Sequence, residues 1–162
     1  MKRSMDRILT THVGSLARPV DLLDLMKAKV NGEPYDEEVY AKRIPAAVVE
    51  IVRQQADSGI DIVTDGEQGK LGFSSYVGER LEGYESRPGF IDKDEFSEEL
   101  AAFPEYYERY FAEAMHGGAV TKVDPVVCTG PIRYKGTDAL HQDIAYLKAA
   151  VADVDKEDVF MP

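Results

Sequence analysis

The chain has 162 residues, 44% of them hydrophobic and 30% charged, a balance that suits one globular core and excludes disordered and fibrous classes. Its formal charge of −11 and its pI near 4.7 argue against a nucleic-acid partner, because phosphate binding needs clustered Lys and Arg to displace counterions and the basic residues here are scattered. No apolar run approaches the ~20 residues of a membrane helix, and the start Met1-Lys2-Arg3-Ser4-Met5 leads into a short strand instead of a signal-peptide core. A cytoplasmic protein with no membrane contact is expected. The single Cys128 excludes an internal disulfide, and with His12, His116 and His141 far apart no self-contained metal site is expected.

In chain order, Ile8 to Gly14 is short, rich in β-branched residues and closed by glycine, which reads as a buried strand ending in a tight turn. Leu22, Leu23, Met26 and Val30 then recur at helical spacing after Pro19. A polar break at Asn31-Gly32-Glu33-Pro34 precedes a second helix, in which Val48, Ile51, Val52 and Gln55 share a face, Pro45 is expected to split or kink the rod, and Gly59 supplies a left-handed stop. Ile60 to Thr64 forms a second strand that breaks at Asp65-Gly66-Glu67. Residues 68 to 118 lack this rhythm and read as an elaborated connection, with an acidic stretch from Asp92 to Glu99 and a helix over Pro104 to Met115. Val126-Val127-Cys128 gives a third strand ending at Thr129-Gly130-Pro131. Thr137 caps a helix with Leu140, Ile144, Leu147 and Val151 on one side, and Val159-Phe160-Met161 starts a fourth strand.

Strands separated by helices predict a parallel α/β arrangement over residues 1 to 162 as a single domain, and the sheet needs both faces covered or a closed barrel. A closed parallel barrel is one way to meet that need. In such a barrel the functional groups gather on loops at the carboxyl ends of strands. Three such ends carry His12-Val13-Gly14-Ser15, Thr64-Asp65-Gly66-Glu67-Gln68 and Cys128-Thr129-Gly130-Pro131. Glu67 can accept from a substrate ammonium and Ser15 can bond a carboxylate, so an α-amino acid would satisfy both.

Each of these residues has a plainer reading. Asp65-Gly66-Glu67 is equally a turn with solvated carboxylates, or, less simply, a paired-carboxylate hydrolytic set. His12 is a candidate base, donor or ligand, and equally a structural group bonded to backbone. Cys128 in a valine-rich strand reads as a buried, inert thiol, and Phe103, Tyr106, Tyr107, Tyr110 and Phe111 read as packing more than as a lid. Glu95, Glu98 and Glu99 read as a solvated helix face, His116 and His141 as surface groups, and Lys70 as a partner either of Glu67 or of an anionic substrate group.

The ordered set Thr10 to Pro19, Gly59 to Gln68 and Thr129-Gly130-Pro131-Ile132 resembles short homologues of cobalamin-independent methionine synthase, along essentially the whole chain. The resemblance implies the N-terminal portion of that family's catalytic barrel, a parallel (β/α)8 TIM-barrel type with about its first half present in residues 1 to 162. It implies methyl transfer from a folate-type donor to a thiol such as homocysteine in methionine biosynthesis, with Val13, Gly14, Ser15 and Glu67 holding the amino acid. It also implies zinc, whose ligands would come from later strands that this chain lacks, since a full barrel takes about 250 residues. His12, Ala17 and Gly69-Lys70 depart from the family pattern and leave the methyl acceptor open. A homodimer or a partner chain completing the barrel is therefore expected, and the alternative is a non-catalytic half-barrel that dimerises or docks a partner.

Overall fold

The computed structural model describes residues 3–87, 97–110, 126–155 and 158–162. In chain order the elements are α1 (Val20–Asn31), α2 (Glu37–Asp57), α3 (Phe73–Arg80), β1 (Leu81–Ser86), α4 (Ser97–Ala102), α5 (Pro104–Arg109), β2 (Val126–Tyr134) and α6 (Thr137–Val151). They form two compact units, Met1–Lys70 with Thr137–Pro162, and Leu71–Gly136. No helix among the described residues is long and apolar enough to cross a membrane.

The first unit is built on helices whose ends are locally encoded. Helix α1 closes with Gly32 at φ 69°, whose N–H reaches the Lys29 carbonyl while the Glu33 N–H reaches that of Ala28 at 2.8 Å, the paired bonds of a glycine-terminated helix. Asp36 caps α2 by accepting from the Glu38 and Val39 N–H groups at 2.9 and 3.0 Å. Helix α2 continues through Pro45 instead of splitting there, and Gly59 at φ 81° turns the chain out of it. The core joins Val48 and Val52 of α2 to Val63 and to Leu147 and Ala150 of α6, while Leu22 and Met26 bury the inner face of α1 completely.

The expected first half of a parallel (β/α)8 barrel is not what the chain builds. The described residues contain one sheet, a two-stranded antiparallel ribbon of β1 and β2. The segments expected to be parallel strands one, two and four form only two isolated parallel bridges, Thr11 with Ile62 and Val63 with Val159, with backbone bonds from the Ile62 N–H to the Thr10 carbonyl at 3.1 Å and from the Phe160 N–H to the Val63 carbonyl at 3.2 Å. Side chains supplement these few backbone bonds. The Thr10 N–H donates to Asp61 Oδ2 at 2.8 Å, the Thr11 hydroxyl donates to the Ile62 carbonyl at 2.7 Å, and Arg7 closes an ion pair on Asp61. A parallel sheet is stable when both faces are covered, yet Ile8 is 85% and Val13 70% exposed, so the first segment is an exposed strap and not a buried strand.

The third expected strand also differs. Val126, Val127 and Cys128 pair antiparallel with Ser86, Glu85 and Tyr84, and the chain from Thr129 to Ile132 bulges opposite Gly83 before Arg133 and Tyr134 pair with Glu82 and Leu81. Thr129-Gly130-Pro131 is thus a bulge inside β2, not a loop at a strand's carboxyl end. Gly83, at φ 85°, is required there: a Cβ would lie 2.7 Å from the Gly130 and Pro131 carbonyl oxygens.

Candidate functional site

The first unit brings two loops together, residues 12–18 and 64–70. The second loop is tied to α2 through Gln55, which is buried and bonds both ways to Thr64: its Nε2 donates to the Thr64 carbonyl at 2.9 Å and its Oε1 accepts the Thr64 N–H at 3.1 Å. The Thr64 hydroxyl accepts the Gly66 N–H, and Asp65 Oδ1 accepts the Glu67 N–H at 3.0 Å. These two side-chain turns hold Gly66 at φ 59° and Glu67 at φ 55°. Glu67 is the one described residue other than glycine with positive φ, a conformation that persists only where surrounding contacts impose it.

The first loop is fastened onto this turn. The Leu16 N–H donates to the Gly66 carbonyl at 3.0 Å, and Gln68 Nε2 donates to the Leu16 carbonyl at 3.3 Å. Gly66 is closely enclosed: a Cβ there would meet Ile51 Cγ1 at 3.1 Å and Leu16 Cβ at 3.2 Å, so those side chains would have to give way. Ser15 Oγ donates to Glu67 Oε2 at 2.6 Å, a short bond of the charge-assisted kind. Arg18 Nη2 donates to the backbone carbonyls of Glu67 and Lys70 at 2.8 and 2.5 Å, so a single guanidinium spans both ends of the turn. Lys70 Nζ in turn donates to the Pro162 carbonyl oxygen.

Burial sets the electrostatics. It pushes the Asp65 carboxyl above the ordinary carboxylate range, against the opposing pull of the Glu67 N–H bond and the Lys70 charge. Burial also draws the Arg18 guanidinium below its ordinary value, against the attraction of Glu67 and, more weakly, of Tyr40 and Asp65. The turn thus combines a carboxylate and a guanidinium that are both partly withdrawn from water.

Of the residues singled out by sequence, Ser15 and Glu67 are in direct contact across 52 positions. Gly14 forms the loop between Val13 and Ser15 at φ 90°, and Val13 is largely exposed beside it. His12 is half-buried, and its Nε2 is enclosed without a hydrogen-bond partner among the described residues. Asp65 spends its Oδ1 on the turn backbone and is buried, so the turn of the plainer reading is present while its Asp65 carboxylate is not solvated. Two further readings change. Cys128 is exposed instead of buried. Tyr106 and Tyr110 stack at 5.9 Å but, with Phe103, remain exposed at 54%, 39% and 63%, so α5 carries a surface aromatic cluster and not a core face. The expected helix is described only as far as Arg109, and Phe111, Glu95 and His116 lie outside the described residues. His141, Glu98 and Glu99 are exposed. Sequence reasoning assigned nothing to Arg18 or Gln68; the signal available for Arg18 was a lone cation between the Gly14-Ser15 turn and the helix opened by Pro19.

No protein-family model matches the chain, and no curated protein does. Among solved structures, the chain is similar to a B12-independent methionine synthase from Shewanella sp. W3-18-1, determined in complex with selenomethionine, with 20% identity and a TM-score of 0.51 over 86% of this chain. The chain spans 34% of the length of that protein. At this identity the likeness is one of backbone path.

Proposed function

We propose that the junction of the two loops is the amino-acid-binding part of a methyltransferase-like protein, acting on a thiol amino acid such as homocysteine. The observation that carries this reading is the 2.6 Å bond between Ser15 Oγ and Glu67 Oε2. It gathers, at an exposed position, a carboxylate that can take an ammonium group and a hydroxyl that can turn to a carboxylate. Gly14 removes side-chain bulk where a ligand's backbone-like end would approach. Support comes from the Shewanella neighbour, whose bound selenomethionine is an α-amino acid of the same type.

In the reaction this reading envisages, the sulfur–methyl bond forms at the thiolate as the methyl–nitrogen bond of a folate-type donor breaks; the thiol proton leaves to solvent, and the donor nitrogen keeps the bonding pair and takes up a proton from solvent. The contribution of this chain is to bind and orient the amino-acid end: Glu67 neutralises the ammonium and Ser15 fixes the carboxylate. Zinc is a different matter. Among the described residues no three His, Cys, Asp or Glu side chains come close enough to hold a metal ion, so these residues do not fit a zinc centre and no step is assigned to one.

Calorimetric titration of methionine and homocysteine into the protein tests the reading. Both should bind, and Glu67→Ala should weaken each by about 10-fold or more, the loss expected for a hydrogen bond to a charged group. Equal affinity in the wild-type protein and Glu67→Ala would remove the basis for this assignment.

A further inference from the structure

Arg18 is the group in this junction whose chemistry is least explained by the protein alone. Its Nη2 serves the Glu67 and Lys70 carbonyl oxygens, which accept hydrogen bonds but carry no net charge to offset the guanidinium. Its Nε is enclosed with no partner among the described residues. Its Nη1 makes no hydrogen bond there either, and it is not shut away from solvent as Nε is. The side chain forms no ion pair among the described residues, in contrast to Arg43, which bonds Asp21 at 2.6 Å and Glu50 at 3.0 Å. A half-buried guanidinium that feels the Glu67 and Asp65 charges without a hydrogen bond to either carboxylate, with Nε enclosed unbonded and Nη1 open, is costly to keep unless a ligand takes up the open donor.

The geometry points to Arg18 as the carboxylate-recognising residue of the loop junction, using its free Nη1 to bind the α-carboxylate of the amino acid whose ammonium Glu67 takes. This deepens, and rests on, the amino-acid reading of the site. The arrangement matches a zwitterion: one guanidinium and one carboxylate held by the same turn, with Arg18 bonded to the backbone of the very residue whose side chain is the anion. Planar guanidinium donors suit a carboxylate better than a lysine ammonium does. Ser15 is then relieved of sole charge of the carboxylate and can retain its bond to Glu67.

The test compares methionine with methioninamide, which keeps the ammonium and side chain but lacks the carboxylate charge, in the wild-type protein, Arg18→Gln and Arg18→Lys. The wild-type protein should prefer methionine by about 10-fold or more. In Arg18→Gln that preference should fall to near one, and Arg18→Lys should retain part of it. Because the preference is a ratio within each protein, a partly folded variant does not distort it. In wild-type protein the Arg18 side-chain NMR resonances should also shift with methionine and not with methioninamide, a readout that holds even where neither variant folds. A preference that persists in Arg18→Gln, or equal Arg18 shifts with both ligands, overturns the assignment of Arg18 while leaving the amino-acid site standing. Absence of binding by either ligand to the wild-type protein overturns both.

Discussion

The two units of this chain solve the same local problem in different ways. Each places a glycine at positive φ against another segment: Gly66 against Leu16 and Ile51 in the first unit, Gly83 against Gly130 and Pro131 in the second. In the first, the contact is secured by side chains that bond to backbone, namely Gln55, Gln68 and Arg18, above the buried face of α2. In the second, a backbone ladder with one bulge does the securing, and β2 is largely exposed, as are Tyr106 and Phe103. A junction tied by side chains over a covered core can hold polar groups at its surface in fixed positions, whereas a two-stranded ribbon with little burial is marginal by itself.

That contrast can be broken or sharpened by substitution. The largest effect belongs to the buried face of the first unit. Leu22 is fully buried, and Leu22→Ala should cost about 2–5 kcal/mol in urea denaturation. A loss within about 0.5 kcal/mol, the level of a surface change, would mean that α1 does not share the core's stability. Next comes Gly83→Ala, for which positive φ and the backbone oxygens at 2.7 Å should together cost at least about 1–3 kcal/mol. Hydrogen exchange should quicken in β1 and β2 and stay unchanged at the Gly66 and Leu16 amides; equal loss of protection in both units would show that they open together.

The smallest effect concerns Asp65, whose carboxyl is raised by burial. A carboxyl with a folded value above its unfolded one binds protons more readily in the folded state, so its contribution weakens stability as pH rises from the unfolded to the folded value, and the cost is fully present above the latter. Asp65→Asn removes the charge while keeping an oxygen to accept the Glu67 N–H. Its urea midpoint should therefore rise at pH 7 and lose part of its dependence between pH 4 and 7. A lower midpoint at pH 7 would show that the ionised form is the one the fold uses. Asp61 runs the other way: Arg7 holds its carboxyl well below the usual range, so that pair's contribution is present above the unfolded value and is lost as pH falls through the folded one.

Much of the first unit was legible in the sequence, and the reason is local. Leu22 and Met26 announce α1 by spacing, Gly32 and Gly59 mark where helices stop, and Val48, Ile51, Val52 and Gln55 do share the buried face of α2. The glycine turns at Gly14 and Gly66 were also visible, together with Ser15 and Glu67 as polar residues beside them. Arg18 was not, because its part depends on two carbonyl oxygens about 50 positions away that no pattern around residue 18 contains. Cys128 misled for a related reason: a valine-rich run reports the tendency to be extended and says nothing of whether anything covers it.

What the sequence by itself determined is therefore the apolar faces of α1, α2 and α6 and the positions of the glycine turns, since each is set by spacing or closed by hydrogen bonds within a few residues along the chain. By contrast, α3, β1 and α4 fell in the stretch read only as an elaborated connection. Only the tertiary structure decided how the extended segments pair. Thr11 and Val159 each touch the Ile62-Val63 segment at a single bridge, while Val126 to Tyr134 turns to Leu81 to Ser86 in an antiparallel ribbon. An extended segment carries its donors and acceptors on its edges, and which distant edge satisfies them is settled by burial and by competing side chains such as Asp61, not by the segment's own residues.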